Sequence, residues 1–226
     1  MSLLVSILSE TPFFIFPEGW EGWLGALLWL IVIILLLALW RNYGRPRDRN
    51  RNIIFGVLLI ISPLSAILVG LRIPGLSAIP LPGVVMDSGG MAVMVLAAFS
   101  WVLAAGLLGP FPAAALAAIS GLILGFWGTH SIFTIFEWVT LAVLLAAISQ
   151  QRYRTPLYKF ARNPIVAIVV ISLLYPLLYI FSSILTMGGS LAVRLDYALE
   201  YVRPATLAVI SPVLIAAVMA QFAKLA

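Results

Sequence analysis

Cysteine is missing from the 226 residues, and histidine occurs once, at position 130. The first absence excludes disulfides, thiolate metal centres and cysteine nucleophiles. The second, with few acids nearby, leaves too few ligands for a zinc site of three or four protein groups. Charge is scarce as well: 9% of residues are Asp, Glu, Lys or Arg, against 63% hydrophobic residues and a mean hydropathy of +1.15. That balance lies far outside the range of soluble globular domains and points to an integral membrane protein, with the lipid bilayer as its first partner. The only lysines are Lys159 and Lys224, both expected on the cytoplasmic side, which argues against a mid-membrane retinal linkage. Paired intramembrane aspartates, a metalloprotease helix motif, a serine elbow and a phosphate-cradling glycine loop are all lacking. The chain is therefore not read as an enzyme, and no cofactor is implied.

What charge there is has a pattern. The net charge of +5 would suggest nucleic acid in a soluble chain, but here the basic residues fall in two clusters between apolar runs. They read as topology signals, and nucleic acid is not an expected partner. RNYGRPRDRNRN carries Arg41, Arg45, Arg47, Arg49 and Arg51, and QQRYRTPLYKFARNP carries Arg152, Arg154, Lys159 and Arg162.

A window of about 19 residues finds seven apolar runs long enough for a hydrocarbon core of roughly 30 Å. They cover 20–41, 52–71, 90–109, 111–128, 132–150, 165–187 and 204–225. The expected architecture is an all-α, polytopic helical bundle of seven transmembrane helices, forming a single domain over 1–226. Seven alternating crossings put both basic clusters in the cytoplasm, with the amino terminus outside and the carboxyl terminus inside. The opening MSLLVSILSETPFFIF has no basic n-region and no small-residue cleavage site, so residues 1–19 are expected to stay and lie at the interface. Segments 72–89 and 188–203 are expected at the outer face. The first is too rich in proline and glycine for a helix and too apolar for a free loop, and the second is read as a solvated interfacial helix.

Local chemistry marks several boundaries. Asn163 before Pro164 predicts an N-cap with proline at the first helical position, and Arg203–Pro204 repeats part of the pattern before span seven. Pro176 and Pro212 fall inside spans and predict kinks. Ala113, Ala117, Gly121 and Gly125 form a small-residue stripe on span four, suited to close packing on span three or five, or alternatively to a dimer seam.

The candidate site is GFWGTHSIFTIFEWVTL, residues 125–141. Positions 130, 134 and 137 are four and three apart, which on a helix puts His130, Thr134 and Glu137 on one face. An acid within a span costs about 2.5–3.5 kcal/mol at the centre on insertion scales, so Glu137 must be protonated, paired or facing water. Trp127 and Trp138 add indole donors and flat apolar surface. The set is expected to line an outward-opening pocket of spans three to five, suited to an amine, a planar heterocycle or a proton. In the alternative, Glu137 is a neutral tie between helices and His130 an interfacial cap. Asp87 lines the outer mouth or, alternatively, caps span three, and Arg194 or Arg203 supplies a counter-charge to a ligand or to Glu137, or else both belong to a solvated helix.

GTHSIFTIFE, with the preceding hairpin LLGPFPAAALAAISGLILG, resembles the membrane region at the amino end of multidomain bacterial signalling proteins of the Chloroflexi type. There it precedes sensor, histidine-kinase or phosphatase modules. Relatives often have Asn-Pro after the histidine where this chain has Ser131-Ile132, which bears on the turn before span five. The hairpin is also broadly similar to LytS-type and MASE-type sensor domains and to substrate-binding components of energy-coupling-factor transporters. The resemblance implies a sensory domain in the bacterial inner (plasma) membrane that receives a small ligand, acting as a homodimer or through a cytoplasmic signalling module. The ending VMAQFAKLA fits a helix that continues toward such a module. The alternative is a transporter or the substrate-binding subunit of an uptake system, although spans one to three and four to six show no internal match.

Overall fold

The computed structural model describes residues 4–5, 12–17, 19–40, 49–72, 79–80, 92–151 and 155–225. In chain order the elements are β1 (Leu4–Val5), α1 (Trp20–Trp40), α2 (Arg49–Leu68), β2 (Gly70–Arg72), β3 (Ala92–Met94), α3 (Phe99–Leu107) and α4 (Pro110–Trp127). They continue with α5 (Phe133–Gln150), α6 (Pro156–Ala161), α7 (Pro164–Ser172), α8 (Tyr175–Thr186) and α9 (Leu191–Leu225). The fold is an all-α bundle with the apolar helices of a membrane protein. Among the described residues α1, α2, α4, α5 and α9 are each long and apolar enough to cross a bilayer, and the bent pair α7/α8 makes a sixth candidate.

The seventh expected helix, over 90–109, is not one helix. Of its described residues, 92–109, only Phe99–Leu107 is helical, about 13 Å of rise, less than half the hydrocarbon core. Its first half is β3 and a turn, and β3 pairs antiparallel with β2, which pairs with β1. Val93 opposite Leu71 and Met94 opposite Gly70 satisfy backbone groups that a helix would have satisfied internally. Val93, Met94, Ala97 and Ala98 are buried, the condition under which irregular backbone survives at membrane depth.

Span seven also differs. Residues 191–203 of the expected interfacial segment 188–203 and the span 204–225 are one helix, α9, of 35 residues and about 52 Å. Pro204 and Pro212 lie inside it, so Arg203–Pro204 starts nothing. Proline at 204 has no N–H to donate to the Glu200 carbonyl, and Glu200 is an exposed residue. The other boundary signal holds: the Asn163 side chain accepts from the Ile165 backbone N–H at 3.0 Å, with Pro164 at the first helical position. The kink expected at Pro176 is a break. α7 ends at Ser172, α8 restarts at Tyr175, and their axes bend by 43°.

The centre of the bundle is α4 against α5, and the small-residue stripe builds it. A Cβ on Gly121 would stand 3.0 Å from the Ile135 Cα, and one on Gly125 would stand 2.8 Å from the Ser131 carbonyl oxygen. Ala113 and Ala117 are fully buried on the same stripe. A second close approach lies between α1 and α8, where a Cβ on Gly22 would meet the Leu185 carbonyl at 2.6 Å. Serine hydroxyls knit α2, α3 and α4: Ser100 donates to Ser62, which lies 3.0 Å from Ser120 Oγ, all three inaccessible to solvent. Outside this core the chain presents apolar side chains suited to lipid, such as Leu39, Ile60 and Leu173.

The contacts sort the chain into two ends. At one, Arg51 donates to the Leu107 carbonyl at 3.1 Å and Gln150 to the Ala105 carbonyl at 3.0 Å. At the other lie the β strands, the α4–α5 turn, the Arg194–Glu21 ion pair at 3.6 Å and the Tyr197 hydroxyl on the Pro80 carbonyl at 2.9 Å.

Candidate functional site

α5 begins at Phe133, so the one-face spacing 130/134/137 does not extend back to His130. His130 sits before the helix with φ at +52°, a left-handed conformation that costs a non-glycine residue strain. What holds it there is the amino-terminal segment. The imidazole stacks on Phe13 at 3.9 Å and 6°, its Nδ1 lies 3.2 Å from the Phe13 carbonyl, and its own carbonyl accepts from Ile15 N–H at 2.7 Å. The single histidine thus fastens residues 13–15 across the α4–α5 turn. Ser131 bridges to Ile15.

Thr134 turns to the same turn: its hydroxyl lies 2.5 Å from that of Thr129. Trp127 stands edge-on to Phe126 at the end of α4, with centroids 4.8 Å apart. Trp138 is buried edge-on against Trp101 of α3, and neither indole Nε1 has an acceptor among the described residues. Arg194 is engaged elsewhere than at Glu137. Its guanidinium donates to the Gly189 and Ile184 carbonyls at 2.9 and 3.3 Å, serving the end of α8 where helix carbonyls lack donors, and it pairs with Glu21. Asp87, and with it most of segment 72–89, lies outside the described residues.

Glu137 is where polar chemistry gathers, and its partners come from span six rather than from spans three to five. Oε2 accepts from the Tyr175 hydroxyl at 3.0 Å, and Ser182 Oγ lies 2.5 Å from Oε1. The Ser182 hydroxyl is also 2.9 Å from the Tyr179 carbonyl, and Thr186 donates to the Ser182 carbonyl at 2.8 Å. Carboxyl and partners are all buried.

These contacts follow from how α8 is written. In YPLLYIFSSILT the buried residues are Tyr175, Tyr179, Ser182, Ser183 and Thr186, every one a hydroxyl bearer. Positions 175, 179, 182 and 186 recur at helical spacing on one face. Leu174, Leu177 and Phe181 point outward. The helix is inside-out relative to a soluble protein, with hydroxyls toward the bundle and hydrocarbon toward lipid. Around it α1 adds the Trp29 indole, donating to Thr140 Oγ1 at 3.0 Å one turn beyond Glu137, and α9 adds Tyr197 and Tyr201, whose rings lie 4.9 Å apart. Sequence spacing flagged Glu137 but not Tyr175 and Ser182. The signal for them was the i, i+4, i+7, i+11 run of hydroxyls in an otherwise apolar span.

One acid with hydroxyls can hold a proton, a monovalent cation or an amine. Among the described residues no three acidic or histidine side chains cluster as a divalent metal site. Comparisons with family models, with curated proteins and with solved structures return no match.

Proposed function

We propose that the chain is a membrane-embedded sensory domain of a bacterial signal-transduction protein, receiving a small ligand where Glu137 meets the hydroxyl face of α8. The observation that carries this reading is that face itself: two of its hydroxyls, Tyr175 and Ser182, meet one buried carboxyl, on a half-helix whose buried residues all bear hydroxyls and which also packs against α9. An acid at bundle depth is costly in a purely structural helix and marks a functional site by default. α9 is the output element, since at about 52 Å it is longer than the bilayer core and couples the α8 face to both ends of the molecule.

In this reading the chain passes seven times through the bacterial inner membrane, the third pass being β3, its turn and α3. The amino terminus is outside and the carboxyl terminus cytoplasmic. Support comes from the two ends of the bundle: Arg51 meets Leu107, and Gln150 meets Ala105, on the side of the basic clusters. The break between α7 and α8 favours a second reading, a transporter or substrate-binding subunit, because discontinuous helices beside a buried acid also serve alternating access.

The test is a thermal-shift screen of the purified protein in lipid nanodiscs with small amines and planar heterocycles. At a hundredfold excess over Kd a ligand adds about 2.7 kcal/mol of stability. The expected result is a compound that stabilises the wild type and loses that effect in Ser182→Ala. A screen in which every stabilising compound acts equally on both proteins overturns the assignment of this site. Vesicle uptake of the same compound would favour the transporter.

A further inference from the structure

We infer that Glu137 is a proton-binding site, a neutral carboxylic acid that donates to Ser182, and that release of this proton unlatches α8 from α5. The inference deepens the ligand-receiving reading of the same residues, but it rests on a count of protons and charges that needs no ligand.

The proton count comes first. Ser182 has one hydroxyl proton and two close oxygens, Glu137 Oε1 and the Tyr179 carbonyl. The Tyr175 proton goes to Oε2. Three oxygen–oxygen contacts therefore share two hydroxyl protons, and an ionised carboxylate leaves one contact without a hydrogen. A proton on Oε1 completes the set: Glu137 donates to Ser182 Oγ, Ser182 donates to the Tyr179 carbonyl, and Tyr175 donates to Oε2. Each oxygen contact then holds one hydrogen.

The charge count agrees. The helices packed against α5 are α1, α3, α4, α7 and α8. None of them contains a lysine or arginine, and α5 itself has no charged residue besides Glu137. The one charged residue among those neighbours, Glu21, is exposed in the first turn of α1 and paired with Arg194. The titratable groups facing Glu137 are the phenols Tyr175 and Tyr179 of α8, with Tyr197 and Tyr201 of α9 behind them. An ionised Glu137 would be a buried anion with no cation opposite it among the described residues, and a buried charge left without a partner is strongly unfavourable.

Release has a defined mechanical effect. The carboxyl O–H bond breaks, its electron pair stays on Oε1, and the proton passes to water. Ser182 must then turn its only proton to Oε1 and abandon the Tyr179 carbonyl, and α8 carries an unpaired anion against its buried face. The break at 173–174 lets this half-helix swing without disturbing α7.

The experiment uses infrared difference spectroscopy on the full chain at neutral pH, where exposed acids are ionised. A protonated-carboxyl band that shifts in D2O is expected in the wild type, lost in Glu137→Gln and displaced in Ser182→Ala. A band present unchanged in both variants, or no acid band in the wild type, overturns the proposal. Because the chain has no native cysteine, spin labels at Leu177→Cys on α8 and Leu122→Cys on α4 report the latch, both positions being exposed. Raising the pH should shift their separation in the wild-type background and leave it fixed with Glu137→Gln, whose amide keeps both hydrogen bonds and never ionises. A shift that persists with glutamine, or none while the acid band titrates away, overturns the unlatching. An acid band without any stabilising compound would defeat the ligand reading and leave this one standing.

Discussion

His130 and Glu137 are seven residues apart and serve two different structures, one tying the amino-terminal segment to a turn and the other tying α8 to α5. Truncating Glu137 to alanine leaves the Tyr175 hydroxyl buried without an acceptor, so the expected loss of stability is about 1–3 kcal/mol. Glu137→Gln can donate to Ser182 and accept from Tyr175, and it is expected to melt close to the wild type. Thermal unfolding of both in the same nanodisc decides this, and equal losses would mean that the amide does not reproduce the hydrogen bonds of the carboxyl. At His130 the effects of conformation and contact separate. His130→Ala loses the stack on Phe13 and keeps the strained φ of +52°, whereas His130→Gly loses the stack and relaxes the backbone. Glycine should therefore be the milder change, by about 1 kcal/mol. In both, amide exchange at Ile15, whose N–H is held by the His130 carbonyl, should speed up. An unchanged rate at Ile15 would show that the histidine does not fasten the segment.

At the scale of elements, α4 against α5 is the contact that glycine makes possible. Gly121→Leu drives a side chain into the backbone of Ile135, and an overpacking cost of about 1–3 kcal/mol is expected as a lower melting temperature. An unaltered melt would mean the two helices part at no cost. This element was legible because a period-four run of Ala and Gly has one physical use in a bilayer, close helix approach. Asn163–Pro164 was legible for a similar reason, since an N-cap oxygen and a proline without an N–H both suit the first turn. α3 was not, because a hydropathy window weighs side chains only. The apolar run 90–109 reads the same whether its backbone hydrogen-bonds within a helix or across to Gly70–Arg72. α9 was misdivided because Arg203–Pro204 imitates a helix start, while a long helix passing out of the bilayer tolerates proline where solvent reaches the freed carbonyl. The α8 face stayed hidden for a different reason. Each hydroxyl is unremarkable alone, and only the fold reveals that their shared face points inward onto Glu137.

For the whole molecule, the question is which end faces which compartment. The basic clusters set the expectation, and the contacts bind each end into a unit. Arg51, Leu107, Ala105 and Gln150 meet at one end, while residues 13–15, the α4–α5 turn and the Arg194–Glu21 pair occupy the other. If cation placement orients the bundle, the first end is cytoplasmic and the second outside. At the first end, Phe160 of α6 is 67% exposed next to the basic loop. Thr129 is exposed on the opposite turn. In a chain without native cysteine, Thr129→Cys and Phe160→Cys each provide a single thiol, and a membrane-impermeant maleimide applied to intact cells should label the first alone. Phe160→Cys should react only after the cells are opened. Labelling of both from outside would mean an even number of passes between the α4–α5 turn and α6. That would contradict the single pass that α5, at 18 residues and about 27 Å, is long enough to make.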